Sequence, residues 1–436
     1  MRMKWIIGFI LIAVFSGSPV LSQEAQKPLT LEESIKIALE RNLRIHSAIE
    51  GVAGSEYRRK SALTDFLPKW AGQYNYTRLN QPSAVIGAGG TASAVPGRDL
   101  FNFNTSVQQP LFAGGRILSN YRLEKMGVDV SKADLETAKM DIVLQVREGY
   151  YNILRADKFQ NVGEQAVKNF EAQLEVSKAF FEVGLIPKND LLQSEVRLAN
   201  ARQALVRAEN DLAVAKSSFN ILLRRDVNTP FQIVDILEYK PSPYRFEESL
   251  NEALKQRPEI KAADLRVNQA KETVKISRSD FFPSIDLSSA YNRLSEDVDL
   301  QGRFPSEKWS IQALASLTLF EWGKTAYRVG ESKVKVTQAE DSKMQLVEGI
   351  ILEVKDDYLN MLVAEKNIGV SEKSIEQAEE NVRLNEERYK YQVATATDVL
   401  DAVTLLAQAR VNYYGALSDF NIAKARLERS MGRMYP

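Results

Sequence analysis

The sequence predicts a mainly α-helical chain that also supplies strands to a membrane β-barrel. Three observations carry that prediction. The chain is internally duplicated. Each half holds two stretches of about ten residues that alternate apolar and polar side chains, and each half then runs into a long, proline-free helical pattern.

At the amino terminus, Arg2 and Lys4 precede the apolar run 5–15, and Val20 and Ser22 stand at the small-residue positions of a signal-peptidase site. Residues 1–22 are therefore expected to be a cleaved export signal. The run falls short of the ~20 apolar residues of a spanning helix, and no later segment supplies one. Lys plus Arg and Asp plus Glu both total 57, so net charge gives no reason to bind nucleic acid. Cysteine is absent, which removes disulfides and a lipidated amino-terminal cysteine. The single histidine, His46, cannot build a His-rich metal site or a Ser-His-Asp triad. No cofactor, no metal and no enzymatic activity are expected. GAGGTA at 87–92 imitates a dinucleotide-binding loop, but Pro96 and Gly97 stand where a helix should open, so a flexible extracellular loop is expected.

The duplication sets the domain plan. LEESIKIAL at 31–39 returns as FEESLNEAL at 246–254, an offset of 215 that also carries Phe66 onto Phe281 and Tyr76 onto Tyr291. Farther on the offset is 208: Gly115 meets Gly323, Tyr150 meets Tyr358 and Asp190 meets Asp398. The first repeat is placed at 23–227, with helices over 30–65, strands over 67–79 and 100–112, and long helices over 116–182 and 189–225. The second, at 245–436, has helices over 246–281, strands over 283–294 and 308–320, and long helices over 324–391 and 396–431. Between them, 228–244 contains Pro230, Pro241 and Pro243 and reads as a linker with one short strand at 231–236.

In the strands, side chains alternate between faces. Trp70, Tyr74 and Tyr76 oppose Lys69, Gln73 and Asn75; Phe101, Phe103 and Val107 oppose Asn102, Asn104 and Gln108. In the second half Leu287 and Tyr291 oppose Ser288 and Asn292, and Trp309 and Ile311 oppose Ser310 and Gln312. About ten residues suffice to cross a bilayer as a tilted strand. Aromatics gather at the run ends, Trp322 among them, as in the girdles of outer-membrane barrels that contact lipid. A sheet cannot leave an open edge in lipid, and single-chain barrels begin at about eight strands, so two or three copies must complete these four.

The helical windows repeat apolar residues at steps of three and four, with Val146, Tyr150 and Ile153 answered by Val354, Tyr358 and Met361. Thin apolar seams suit helices that touch only lateral neighbours, as in the wall of a hollow cylinder. The helix pairs turn at FEVGLIPKNDLL, 181–192, and YKYQVATATDVL, 389–400. Gly184 ends one helix and Pro187 restarts the next; Thr395 or Thr397 caps the second restart. Asp398 and Asp401 share one helical face and place charge at a pore mouth or, alternatively, offset the helix dipole.

Together these features resemble the TolC-like outer membrane efflux protein family, most specifically at the two turns, which look like its Tyr-x-x-Gly and Asp-Leu-Leu tip signature. The resemblance implies a homotrimer with a twelve-stranded β-barrel in the outer membrane and an α-helical barrel across the periplasm. It implies docking of the tips (Gly184, Leu185, Pro187, Val393, Thr395) on a periplasmic adaptor, the membrane fusion protein, coupled to an inner-membrane RND or ABC transporter. Asp398 and Asp401 match positions lining the periplasmic constriction in relatives. Trp70, Tyr74, Phe101, Phe103, Tyr291, Trp309 and Trp322 would form the aromatic girdle. The departures are Gln392 where the first tip has Gly184, and Ala394 where some relatives have a basic residue. The function so implied is a passive exit duct for efflux or secretion. The alternative is a periplasmic coiled-coil adaptor or structural protein without a pore.

Overall fold

The computed structural model describes residues 28–81, 84–86, 92–94, 98–301 and 306–434, so the expected export signal and residues 87–91 of the glycine-rich stretch lie outside the described residues. The first repeat runs α1 (Leu31–Arg41), α2 (Leu43–Thr64), β1 (Lys69–Arg78), the short strands β2 (Ala84–Ile86) and β3 (Ala92–Ala94), β4 (Asp99–Ala113), α3 (Arg116–Glu182) and α4 (Lys188–Leu222). The second runs α5 (Phe246–Gln256), α6 (Pro258–Arg278), a 3-10 turn (Ser279–Phe281), β5 (Ser284–Ser295), β6 (Ser306–Ser316), α7 (Lys324–Lys390) and α8 (Ala396–Ser430).

Local chemistry explains the boundaries. Thr30 and Glu33 form a capping box that opens α1. Asn42 both ends α1 and opens α2 by accepting from the Arg44 N–H at 2.8 Å, so it is the point where the helices expected over 30–65 divide. The same break recurs at Arg257, where Pro258 takes the first position of α6. Two expectations are corrected. The linker carries no strand at 231–236; a single parallel bridge joins Leu29 to Ile233. The last strand stops at Ser316, not 320, because its partner β5 begins at Ser284, which lies opposite Ser316 and leaves nothing to pair beyond it.

The main sheet has the order β1-β4-β5-β6, all antiparallel, so the β4–β5 ladder joins the two repeats. The expected loop between β1 and β4 carries a separate two-stranded ribbon, β2 with β3. Helices α3 and α7, each of 67 residues, extend ~100 Å at 1.5 Å per residue. Nearer the sheet, α3 packs against α2 and α6, and α6 against α7; farther away α3 packs against α4 and α8, and α8 against α7. The layer order is thus α2–α3–α6–α7 and then α4–α3–α8–α7.

Two apolar cores gird the middle of this layer, one per repeat. Tyr150, wholly buried in α3, donates to the carbonyls of Leu29 and Val234 at 3.1 and 2.7 Å, which ties the linker to the helix. Between the cores lies an ionic network: Arg257 reaches Glu353 and Glu259 at 2.5 and 2.9 Å, and Arg429 reaches Asp141 and Glu259 at 2.6 and 2.8 Å. Burial works against the Glu259 charge, but hydrogen bonds and the two guanidinium charges hold its carboxyl below the usual range. Removing one partner from such a network would strand a buried charge.

Candidate membrane wall and docking tips

Cross-strand register sorts the main sheet into two unlike faces. Trp70 lies opposite Val107, Tyr74 opposite Phe103 and Tyr76 opposite Phe101. Continuing across, Val107 meets Ser289, and Ser289 meets Ile311; Tyr291 meets Trp309. The reverse face joins Asn75 to Asn102, Asn104 to Asn292 and Ser288 to Gln312. Asn292 Nδ2 donates to Asn102 Oδ1 at 2.8 Å, so the carboxamides satisfy one another. One face is therefore aromatic and aliphatic, the other a carboxamide and hydroxyl surface. That division suits a wall with lipid on one side and water on the other.

The aromatics have polar handles. Trp70 Nε1 donates to Thr105 Oγ1 at 2.7 Å and the Tyr76 hydroxyl to Asp99 at 2.7 Å, while the Tyr76 and Phe101 ring centroids lie 5.0 Å apart. Trp309 and Trp322 are 76% and 82% exposed. The Trp322 ring rests 4.9 Å from that of Phe320. All seven residues expected in the girdle lie in or beside the sheet. Among the described residues the outer edges of β1 and β6 have no strand partner.

At the far ends, the two tips repeat each other. The Leu185 N–H reaches the Phe180 carbonyl at 2.8 Å and the Gly184 N–H the Phe181 carbonyl at 2.9 Å; Val393 and Gln392 make the same bonds to Arg388 and Tyr389. This closing pattern needs a left-handed residue, and Gly184 and Gln392 adopt φ of 77° and 60°. Pro187 and Thr395 then open α4 and α8. Val183, Leu185, Tyr391 and Val393 are exposed at the tips. Beneath them Phe170, Leu174, Leu198, Val399, Leu400 and Val403 form a buried cluster.

The two acids of the second tip have different surroundings. Asp398 completes a capping box: its carboxylate accepts from the Thr395 N–H and hydroxyl, both at 2.8 Å, and these bonds hold its carboxyl below the usual range. Asp401 accepts from Arg197 of α4 at 2.7 Å. Sequence reading missed Tyr391 and Arg197. Tyr391 was legible as the counterpart of Val183, an apolar residue beside the left-handed position. Arg197 had no local signal, because its partner is 204 positions away.

An antiparallel sheet with one lipid-type face, set on two hairpins of 67-residue and 35-residue helices, defines an outer membrane channel protomer. Comparison agrees. The family model described as outer membrane efflux protein matches residues 34–220 and 249–433, and the chain belongs to that family. It is similar to the outer membrane efflux protein BepC of Brucella suis, 21% identical over 424 residues, covering 97% of this chain and 89% of that protein. It is also similar to the outer membrane protein TolC of Vibrio cholerae, 22% identical over 348 residues and covering 77% of each chain. Among solved structures, the CmeC outer membrane channel of Campylobacter jejuni superposes with a TM-score of 0.80 at 18% identity, over 99% of this chain and 94% of that one. The open state of the MtrE channel of Neisseria gonorrhoeae gives 0.76 at 21% identity, over 92% and 88%. The protein is thus an outer membrane efflux channel with its helical part in the periplasm, and the adaptor alternative falls away.

Proposed function

We propose that three copies close into one channel-tunnel that serves as the passive exit duct of an efflux or secretion system. The observation that carries this reading is the pair of unlike lateral edges. One edge comprises α2, β1 and α4, with Val206, Val214 and Ile221 of α4 exposed; the other comprises β6 and α7, with Leu352, Leu359 and Val370 exposed. Such edges join head to tail, and a head-to-tail contact closes into a ring when its rotation divides a full turn, here a third of one. Three copies give twelve strands, and pairing with β1 of the next copy would extend β6 into the unpaired residues 317–320. In the helical zone, twelve helices ~10 Å apart would enclose a ring ~40 Å across between axes. The linker, α1 and α5 would block that bore, so they lie outside, and the opposite face of α3 lines the tunnel.

Docking on a periplasmic adaptor is assigned to the tips, where Val183, Leu185, Tyr391 and Val393 offer small exposed apolar knobs on a polar hairpin. Energy then comes from the adaptor's inner-membrane transporter of RND or ABC type. Asp398 and Asp401 stand at the tunnel mouth, and the Arg197 ion pair leaves Asp398 as the larger source of negative charge there.

The test uses the absence of cysteine. Single cysteines introduced along α4 (Val206, Val214) and α7 (Leu359, Val370) are paired and oxidised in membranes. A cross-linked series ending at three subunits is expected; a series ending at two, or continuing past three, overturns the trimer. Photo-crosslinkers at Leu185 and Val393 that capture no periplasmic protein would overturn tip docking.

A further inference from the structure

The two repeats meet along β4 and β5, and that seam has a counterpart at the outer edges of the chain. An offset of 215 carries β1 onto β5, and one of 208 carries β4 onto β6. The strand pairing obeys both: Lys69 opposite Gln108 returns as Ser284 opposite Ser316, and Tyr76 opposite Phe101 returns as Tyr291 opposite Trp309. The internal seam shifts register between Pro110 and Phe112 and ends with Ala113 opposite Ser284. At its foot, where strands give way to helices, Arg116 of α3 reaches Asp280 at 2.6 Å and Ser279 at 3.2 Å. Carried by the same offsets, β4 and Arg116 become β6 and Lys324 on one lateral edge, while β5 and Asp280 become β1 and Asp65 on the other. Asp65, Lys69 and Lys324 are exposed and form no ion pair among the described residues.

We propose that a second copy of the chain docks in the register of this internal seam, with the β6–α7 junction of one copy seated on the α2–β1 junction of the next. The proposal rests on the ring closure argued above and gives it residue pairs. Val107 opposite Ser289 becomes Ala315 opposite Tyr74 of the next copy, and Thr105 opposite Tyr291 becomes Ala313 opposite Tyr76. The sizes fit, because each tyrosine of β1 meets an alanine of β6. Phe112 opposite Ile285 becomes Phe320 opposite Trp70, an aromatic pair at the girdle. Ala113 opposite Ser284 becomes Glu321 opposite Lys69, and Arg116 with Asp280 becomes Lys324 with Asp65. Both charged pairs join an acid to a base, so the edges are electrostatically complementary. A slip of one residue would turn the polar face of β6 onto the aromatic face of β1.

One position breaks the likeness. Gly114 and Gly115 hold φ of 60° and 86°, and a Cβ on Gly114 would come within 2.4 Å of the Ser279 carbonyl oxygen. Their counterparts Trp322 and Gly323 repeat the turn at φ of 50° and 80°. Trp322 carries the Cβ that Gly114 has no room for, so Thr64 of the next copy has to stand farther from it than Ser279 stands from Gly114. The seam between copies is therefore wider at this level than the seam between repeats. The ring is threefold and not sixfold, with one Trp322 at each opening.

Disulfide trapping in membranes reads the register, since the chain has no cysteine of its own. The polar face supplies the probe: Gln108 opposite Ser288 becomes Ser316 opposite Gln73 of the next copy. Ser316→Cys with Gln73→Cys is expected to cross-link copies about tenfold faster than Ser316→Cys with Ala71→Cys or with Asn75→Cys, because diagonal neighbours stand ~7–8 Å apart, beyond the reach of a disulfide. A shifted pair that links as fast or faster overturns the register. So does the lack of any strand cross-link where the cysteines on α4 and α7 still yield a trimer, and closure then stands without it. Failure of both series removes closure as well. Charge reversal gives a second reading that needs no cysteine. Asp65→Lys and Lys324→Asp should each lower the heat stability of the oligomer on gels, and the two together should recover it. A double variant no more heat-stable than the single ones overturns the junction contact.

Discussion

Arg197 of α4 donates to Asp401 of α8 at 2.7 Å, and four residues nearer the tip in each helix Thr397 donates to Gln193 at 2.7 Å. These two contacts fasten the hairpin of the first repeat to that of the second just behind the tips. An exposed ion pair contributes ~0.2–1 kcal/mol, so Arg197→Ala with Gln193→Ala should leave global unfolding within about 1 kcal/mol of wild type. The same energy shifts a local two-state opening severalfold. Open probability in planar bilayers is therefore expected to rise, and an unchanged value would show that these contacts do not hold the mouth.

The left-handed residues at the two tips differ in cost. Gly184 adopts its φ freely, whereas Gln392 holds φ of 60° with a side chain. Gln392→Gly should stabilise the second tip by roughly 1 kcal/mol, and Gly184→Ala should destabilise the first by roughly 1–2 kcal/mol. A Cβ at Gly184 would meet nothing within 4 Å, so the cost there is conformational alone. Amide hydrogen exchange at Val393 and Leu185 measures both.

Thr395→Ala removes the capping hydroxyl of α8 and one of the bonds to Asp398, with an expected loss of ~1 kcal/mol. Because the cap lowers the Asp398 carboxyl, its contribution is present above the ordinary carboxylate pKa of ~3.9 and is lost as pH falls through the folded value. In Thr395→Ala the Asp398 titration should return toward the ordinary range, as read by carboxyl NMR shifts.

Gly149 of α3 lies under the ring of Phe219, where a Cβ would come within 2.9 Å of Cδ2. Phe219 is buried in the first core and cannot step aside. Gly149→Ala is expected to cost ~1–3 kcal/mol by overpacking, and Phe219→Leu in the same chain should recover part of it. Thermal unfolding of the two variants measures both effects, and an unchanged midpoint for Gly149→Ala would contradict the close contact.

Charge distinguishes the sheet faces. Ile311 and Gln312 are neighbours on β6 that point to opposite sides. Ile311→Lys should cost up to ~2–4 kcal/mol in the assembled barrel, according to depth, while Gln312→Lys should be tolerated and shift ion selectivity. Heat-stable oligomer on gels and reversal potentials give the two readouts; equal tolerance would contradict a lipid-facing aromatic side.

The sequence by itself determined the duplication, the long helices and the four alternating strands, since these are local periodicities that a linear reading detects. It also placed the tips, because Gly184, Pro187 and Thr395 are local terminators and starters. Asn42 and Arg257-Pro258 then divide the helices expected over 30–65 and 246–281. Only the tertiary structure decided that Arg197 meets Asp401 and that β6 ends at Ser316 within one copy. Each of these depends on a partner strand or helix far along the chain, and no local pattern encodes a distance between residues that only packing brings together.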